Sequence, residues 1–148
     1  MKWIADMEAF QIGSKWYPKE IAILNTVTRE CICLTTRCSI PYSMVYPNYL
    51  PTLKCQFAIH GLYWDQGDYS LQRANQIIVN KVKAGDEVYV KGDQKAKFFE
   101  TWFPSSQVFE ITNAPAIKDL KLCRNQVCNK NHQGMCARRK CFELLPYV

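Results

Sequence analysis

Apolar and polar positions alternate along Lys2–Ile12, and the Gly13-Ser14-Lys15 turn behind them marks this stretch as a first strand. Glu20–Val27 and Arg29–Thr36, rich in Ile, Val and Thr and joined near Thr28, predict two further strands in an antiparallel meander. Ser39–Lys54 holds three prolines and three tyrosines with no period and reads as a loop. Beyond it the period changes. Leu71, Ala74, Ile77, Ile78 and Val82 recur at helical spacing, with Ser70 as N-cap and Gly85 as a stop signal. Glu87–Val90 predicts a fourth strand. Asp93 then caps a helix through Phe103 that buries Phe98, Phe99 and Trp102, Gln107–Thr112 is a fifth strand, and His132–Leu145 is a closing helix. The order is β-β-β-α-β-α-β-α, without a repeat or an internal linker, which predicts one α/β domain over residues 1–148.

Composition narrows the class. The chain has 148 residues, 48% of them hydrophobic and 22% charged, which is the composition of a globular domain. No apolar run is long enough to span a bilayer, and the N-terminus lacks the apolar core of a signal peptide, so an intracellular protein of the cytoplasm or nucleus, with no membrane partner, is expected. The net charge of +6 is compatible with a nucleic-acid partner. Basic residues gather at Lys91, Lys95 and Lys97 and again at Arg138, Arg139 and Lys140; these are the candidate phosphate contacts, against the plainer reading of a solvated face.

Of eight cysteines, four (Cys123, Cys128, Cys136 and Cys141) fall near the C-terminus beside His132. With no secretory context, Cys123-x4-Cys128-x3-His132-x3-Cys136 reads as a cluster of soft metal donors rather than a disulfide framework; the alternative is a set of small core side chains. Cys31 and Cys33 alternate on a strand and are assigned to core packing.

Three antiparallel strands followed by alternating helices and strands form the RNase H-like order, a mixed sheet of about five strands. Asp6-Met7-Glu8 resembles the D-x-E of DEDDh exonucleases, Ile59-His60-Gly61-Leu62 is similar to the segment before their first helix, and His132 falls where they place a general base. A two-metal nuclease needs four carboxylates around its cations. Here Lys95 matches the middle aspartate, and Cys136-Ala137 replaces the last one. Asp6 and Glu8 remain as candidate catalytic carboxylates for a Mg2+- or Mn2+-dependent 3′-5′ exonuclease.

The replaced positions resemble another family. Tyr17-Pro18-Lys19-Glu20-Ile21 and Cys128-x3-His132-x3-Cys136-Ala137 look like the Maelstrom domain, a degenerate RNase H-like fold with a Glu-Cys-His-Cys zinc motif. The resemblance implies a structural Zn2+ held by Glu20, Cys128, His132 and Cys136, with Cys123 and Cys141 as competing ligands. It implies single-stranded RNA as partner, weak endonuclease activity independent of the ancestral carboxylates, and a place with protein partners in small-RNA-guided transposon silencing. The His-to-Cys spacing of four also predicts that His132 and Cys136 share one face of the last helix. A non-enzymatic protein-interaction scaffold is the third alternative.

Overall fold

The computed structural model describes residues 1–115 and 136–148. Strand β1 (Lys2–Ile12) turns through Gly13, at φ +61°, into β2 (Lys15–Asn25), and β3 (Cys31–Arg37) adds antiparallel to β2. Then come α1 (Leu50–His60), a two-residue strand β4 (Tyr69–Ser70), α2 (Leu71–Lys81), β5 (Glu87–Lys91), α3 (Asp93–Trp102), β6 (Gln107–Ile111) and α4 (Ala137–Glu143). The sheet has six strands in the order β4-β3-β2-β1-β5-β6, with β5 parallel to β1 and β6 parallel to β5. This is the α/β, RNase H-like arrangement expected, with six strands rather than about five.

Because successive strand side chains point to opposite faces, β1 sorts its residues by parity. Trp3, Ala5 and Met7 join Ile21, Ile23, Val88 and Val90 in the core beneath α2 and α3. Ile4, with Ala22 and Leu24 of β2, packs beneath Ala137, Cys141 and Leu144 of α4. Asp6 and Glu8 have the parity of Ile4, so two carboxylates stand on a central strand beneath a helix.

Several elements differ from the sequence expectation. The segment expected to be loop contains α1 from Leu50 onward, of which only Leu53 and His60 are buried. Its apolar residues surround the axis instead of forming a stripe, so no helical period is visible. Strand β2 starts at Lys15, five residues before the expected Glu20, because the hairpin is tight and Trp16 and Tyr17 pair with Gln11 and Phe10. Asp93 is the first helical residue of α3, preceded by Gly92 at φ +99° as the cap position. The Ser70 cap of α2 is as expected: its Oγ accepts the Arg73 N–H at 3.1 Å. Helix α2 ends at Lys81, before the Gly85 stop. Cys136 is the extended residue before α4 (φ −125°, ψ 123°), so it caps that helix rather than lying one turn along it from His132. His132 lies outside the described residues.

Between Glu8↔Glu20 and Ala9↔Pro18 the β1–β2 register shifts, leaving Lys19 as an extra residue on β2. A bulge of this kind re-aims a side chain. Lys19 is buried, and its ammonium donates to the carbonyls of Thr36 (2.6 Å), Trp64 (2.9 Å) and Gln66.

Candidate functional site

Asp6 is fully buried on β1, and Glu8 nearly so. Helix α4 lies across β1 and β2 and turns Lys140 inward, with its Nζ 3.0 Å from Asp6 Oδ2 and also paired to Glu8 Oε1. From the first turn of α3, Lys95 Nζ donates to Asp6 Oδ1 at 2.9 Å. Lys140 is only 2% exposed, while the Lys95 side chain keeps 19%. The cluster is therefore sealed at Lys140 and meets water at Lys95. Two carboxylates face two ammoniums, and the formal charges cancel.

Taking such ions out of water costs several kcal/mol each, and mutual attraction offsets this only at close range. Burial drives the Asp6 carboxyl up, but the Lys140 and Lys95 ammoniums outweigh it and hold the group below the usual aspartate value. For Glu8 burial is the larger effect, and its carboxyl sits above the ordinary value despite Lys140. Burial would discharge Lys140; Asp6 and Glu8 reverse this and raise its pKa.

Glu20 faces Glu8 across the β1–β2 ladder. Its Oε1 accepts the Ala137 N–H at 2.7 Å, placing a carboxylate at the N-terminus of α4, where the helix dipole favours negative charge. That contact sets Glu20 against the backbone next to Cys136, which is itself buried. Of the expected zinc set, the described residues include Glu20 and Cys136, an oxygen and a sulfur donor, with Glu20 Oε1 engaged by the Ala137 N–H. Cys128 and Cys123, like His132, lie outside the described residues; among the described residues, no group of three or more His, Cys, Asp or Glu side chains could hold a metal ion.

Cys141 points elsewhere. Its thiol lies 3.7 Å from the Ile4 carbonyl and 3.8 Å from that of Ala22, and burial pushes its pKa well above the ordinary value. This is a core thiol donating to backbone. Cys31 and Cys33 pack partly buried against the α4 cluster, with the Cys31 thiol pushed up by burial to about 11.

The six basic residues singled out in the sequence divide. Lys140 is no surface cation, and Lys95 spends its charge on Asp6. Lys91 donates to the Ala114 carbonyl at 3.1 Å, Arg139 pairs with Glu143 at 2.7 Å, and Arg138 lies over the Phe142 ring at 5.7 Å. Lys97 is exposed on α3. His60 is buried; its Nδ1 accepts the Leu62 N–H at 3.0 Å and its ring meets Phe10 edge-on, which marks it as structural.

Sequence reasoning missed the inward turn of Lys140, although the signal was present. Ala137, Lys140, Cys141 and Leu144 fall at i, i+3, i+4 and i+7, so the lysine belongs to the buried stripe of its helix. Lys19, set between Pro18 and Glu20, was passed over as well.

No protein-family model matches the chain, and no curated protein matches it. Among the described residues no helix is long and apolar enough to cross a membrane.

Proposed function

We propose that this chain is a nucleic-acid-binding domain of the Maelstrom type, built on a nuclease scaffold whose cation sites have been taken over by lysine. The observation that carries this reading is the placement of the Lys140 and Lys95 ammoniums against Asp6 and Glu8. Two-metal hydrolysis needs carboxylate oxygens free to bind divalent cations close together. A buried ammonium between the two carboxylates supplies the compensating charge permanently. It cannot polarise a phosphate or activate a water as a metal does. The carboxylates then anchor α4 to β1, and strand cleavage, where it occurs, is independent of Asp6 and Glu8. For Mg2+ or Mn2+ to enter in the exonuclease reading, Lys140 would have to leave a pocket in which it is almost wholly enclosed.

The partner in this reading is single-stranded RNA, held through the exposed or half-exposed Lys97, Arg138, Arg139 and Lys91. Zn2+, held by Glu20, Cys128, His132 and Cys136, would fix the start of α4 against β2; its role is structural, and it supplies no reactive group. Association with silencing proteins in the cytoplasm or nucleus is part of the same proposal.

The test compares wild type with the Asp6→Ala variant in three measurements: zinc content, RNA binding and RNA degradation. Elemental analysis is expected to find one zinc per chain, and a labelled single strand of RNA is expected to bind equally well with or without added Mg2+, with no Mg2+-dependent degradation in the wild type or in the Asp6→Ala variant. Magnesium-dependent degradation that Asp6→Ala abolishes would overturn the reading in favour of the exonuclease.

A further inference from the structure

The geometry points to a pocket for one unpaired nucleobase at the end of β1, distinct from the ion-paired carboxylates. This inference rests on the nucleic-acid reading above and adds to it where a strand is gripped. The cavity holds about 500 Å³, within the range of small-molecule sites. Phe10, Tyr42, Phe57, Tyr63 and Trp64 supply most of its wall, and Lys54 stands at its edge.

Phe10 follows Glu8 by two residues on β1, so its side chain has the parity of Asp6 and Glu8 and stands roughly 7 Å further along the strand, where α1 residues Leu53 and Phe57 complete the lining. Its walls are fixed before any ligand arrives. The re-aimed Lys19 ammonium holds the carbonyls of Trp64 and Gln66, the two ends of a wall segment. Trp64 Nε1 donates to the Ile40 carbonyl at 2.7 Å, and Asp65 Oδ1 accepts the Tyr42 N–H at 3.0 Å. Trp64 packs 5.2 Å from Phe10 and 5.0 Å from Tyr17, and Phe57 stands 4.9 Å from Tyr63. Phe10 and Trp64 are themselves buried, so they form a fixed floor, and a ligand ring would meet the exposed Tyr63 and Tyr42 above it.

Despite this support, Tyr63 remains 61% exposed and Tyr42 38%. Exposed aromatic rings lining a cavity are surfaces on which a flat ligand can stack. What selects a nucleobase among flat ligands is the polar edge. Asp65 and Gln66 line the cavity; with Asp65 Oδ1 engaged by the Tyr42 N–H, the second Asp65 oxygen and the Gln66 side-chain amide supply acceptors and a donor for a base edge. The exposed Lys54 ammonium suits the phosphate attached to it.

The experiment titrates a labelled eight-nucleotide RNA into wild type, Tyr63→Ala, Tyr42→Ala and Lys97→Ala, and repeats the wild-type titration with an abasic strand. In parallel, adenosine 5′-monophosphate and N-acetyltryptophanamide are titrated while the Trp64 indole N–H is followed by NMR. The inference expects each tyrosine variant to weaken binding about 5- to 100-fold, the scale of one lost base stack. It also expects the abasic strand to bind weakly and the nucleotide to shift the Trp64 signal. Tight wild-type binding that neither tyrosine variant nor base removal alters would overturn the pocket and leave the functional reading intact. No binding of any strand removes both. A Trp64 shift with the tryptophan amide and none with the nucleotide would hand the cavity to a protein side chain and end the proposal.

Discussion

Lys140 and Asp6, 134 positions apart in the chain, meet at 3.0 Å with neither side chain more than 2% exposed. Breaking one side of such a pair leaves an uncompensated charge in a dry site, a loss of about 3–5 kcal/mol. Lys140→Met is therefore expected to lower unfolding free energy by about that amount, read from the midpoint of a urea titration. Adding Asp6→Asn and Glu8→Gln to the same chain is expected to recover much of the loss, because the orphaned charges go with the lysine. Equal destabilisation in single and triple variants would show that Lys140 acts through its packing alone.

Lys19 carries an opposite sign of pH dependence from most paired lysines. Burial lowers its pKa from 10.5 to about 8, with no carboxylate close enough to reverse the effect. Between those values the unfolded chain holds a proton that the folded chain has released, so the lysine's contribution to stability rises with pH. Its burial is least favourable below pH 8, where the charge is retained. The stability difference between wild type and Lys19→Met is expected to shift in favour of wild type by about 1 kcal/mol from pH 8 to pH 9. This window lies below the range of the Cys31 and Cys38 thiols, which burial pushes to about 11. A flat difference across the window would mean that Lys19 titrates normally.

Cys136 and Cys141 are both buried, yet they have different expected fates. Cys136→Ser should release zinc and cut the melting temperature to that of the chelated wild type. Cys141→Ser should keep the metal stoichiometry and cost only its packing. Zinc content by elemental analysis separates them, and equal loss from both would move the ligand set along α4.

RNA affinity should fall as salt rises, because each phosphate contact releases counterions. Removing Lys97 is expected to reduce the slope of log affinity against log salt by about 0.7, the single-strand value for one contact. Arg139→Ala is expected to reduce it less, since its guanidinium pairs with Glu143 at 2.7 Å. Lys91→Ala is expected to have a smaller effect, since its ammonium already serves the Ala114 carbonyl. Unchanged slopes in all three variants would place the strand on another surface.

Local pattern was enough for the elements that bury one clear face. β1 runs over Lys2–Ile12 as expected, and α2 follows its cap and its Ala74–Ile78 stripe. Helix α1 escaped because its apolar residues surround the axis, and β4 because two residues carry no period. At the site, the resemblance drew attention to Lys95, but the bond of Lys95 to Asp6 was not legible in the chain. Arg138-Arg139-Lys140 looked like a run of surface cations; only the packing of α4 on β1 separates the inward lysine from its neighbours. Glu20 was singled out by motif, whereas its grip on Ala137 N–H depends on how that helix docks.

The enclosure of Lys140 also limits what single substitutions can do. Substituting the lysine alone leaves Asp6 to Lys95 but strands Glu8 in the interior, and substituting the carboxylates alone strands the lysine. A change at any one of these positions therefore meets a folding penalty that a coordinated change avoids, so the cluster behaves like a ratchet: single mutations do not readily evict the buried amine.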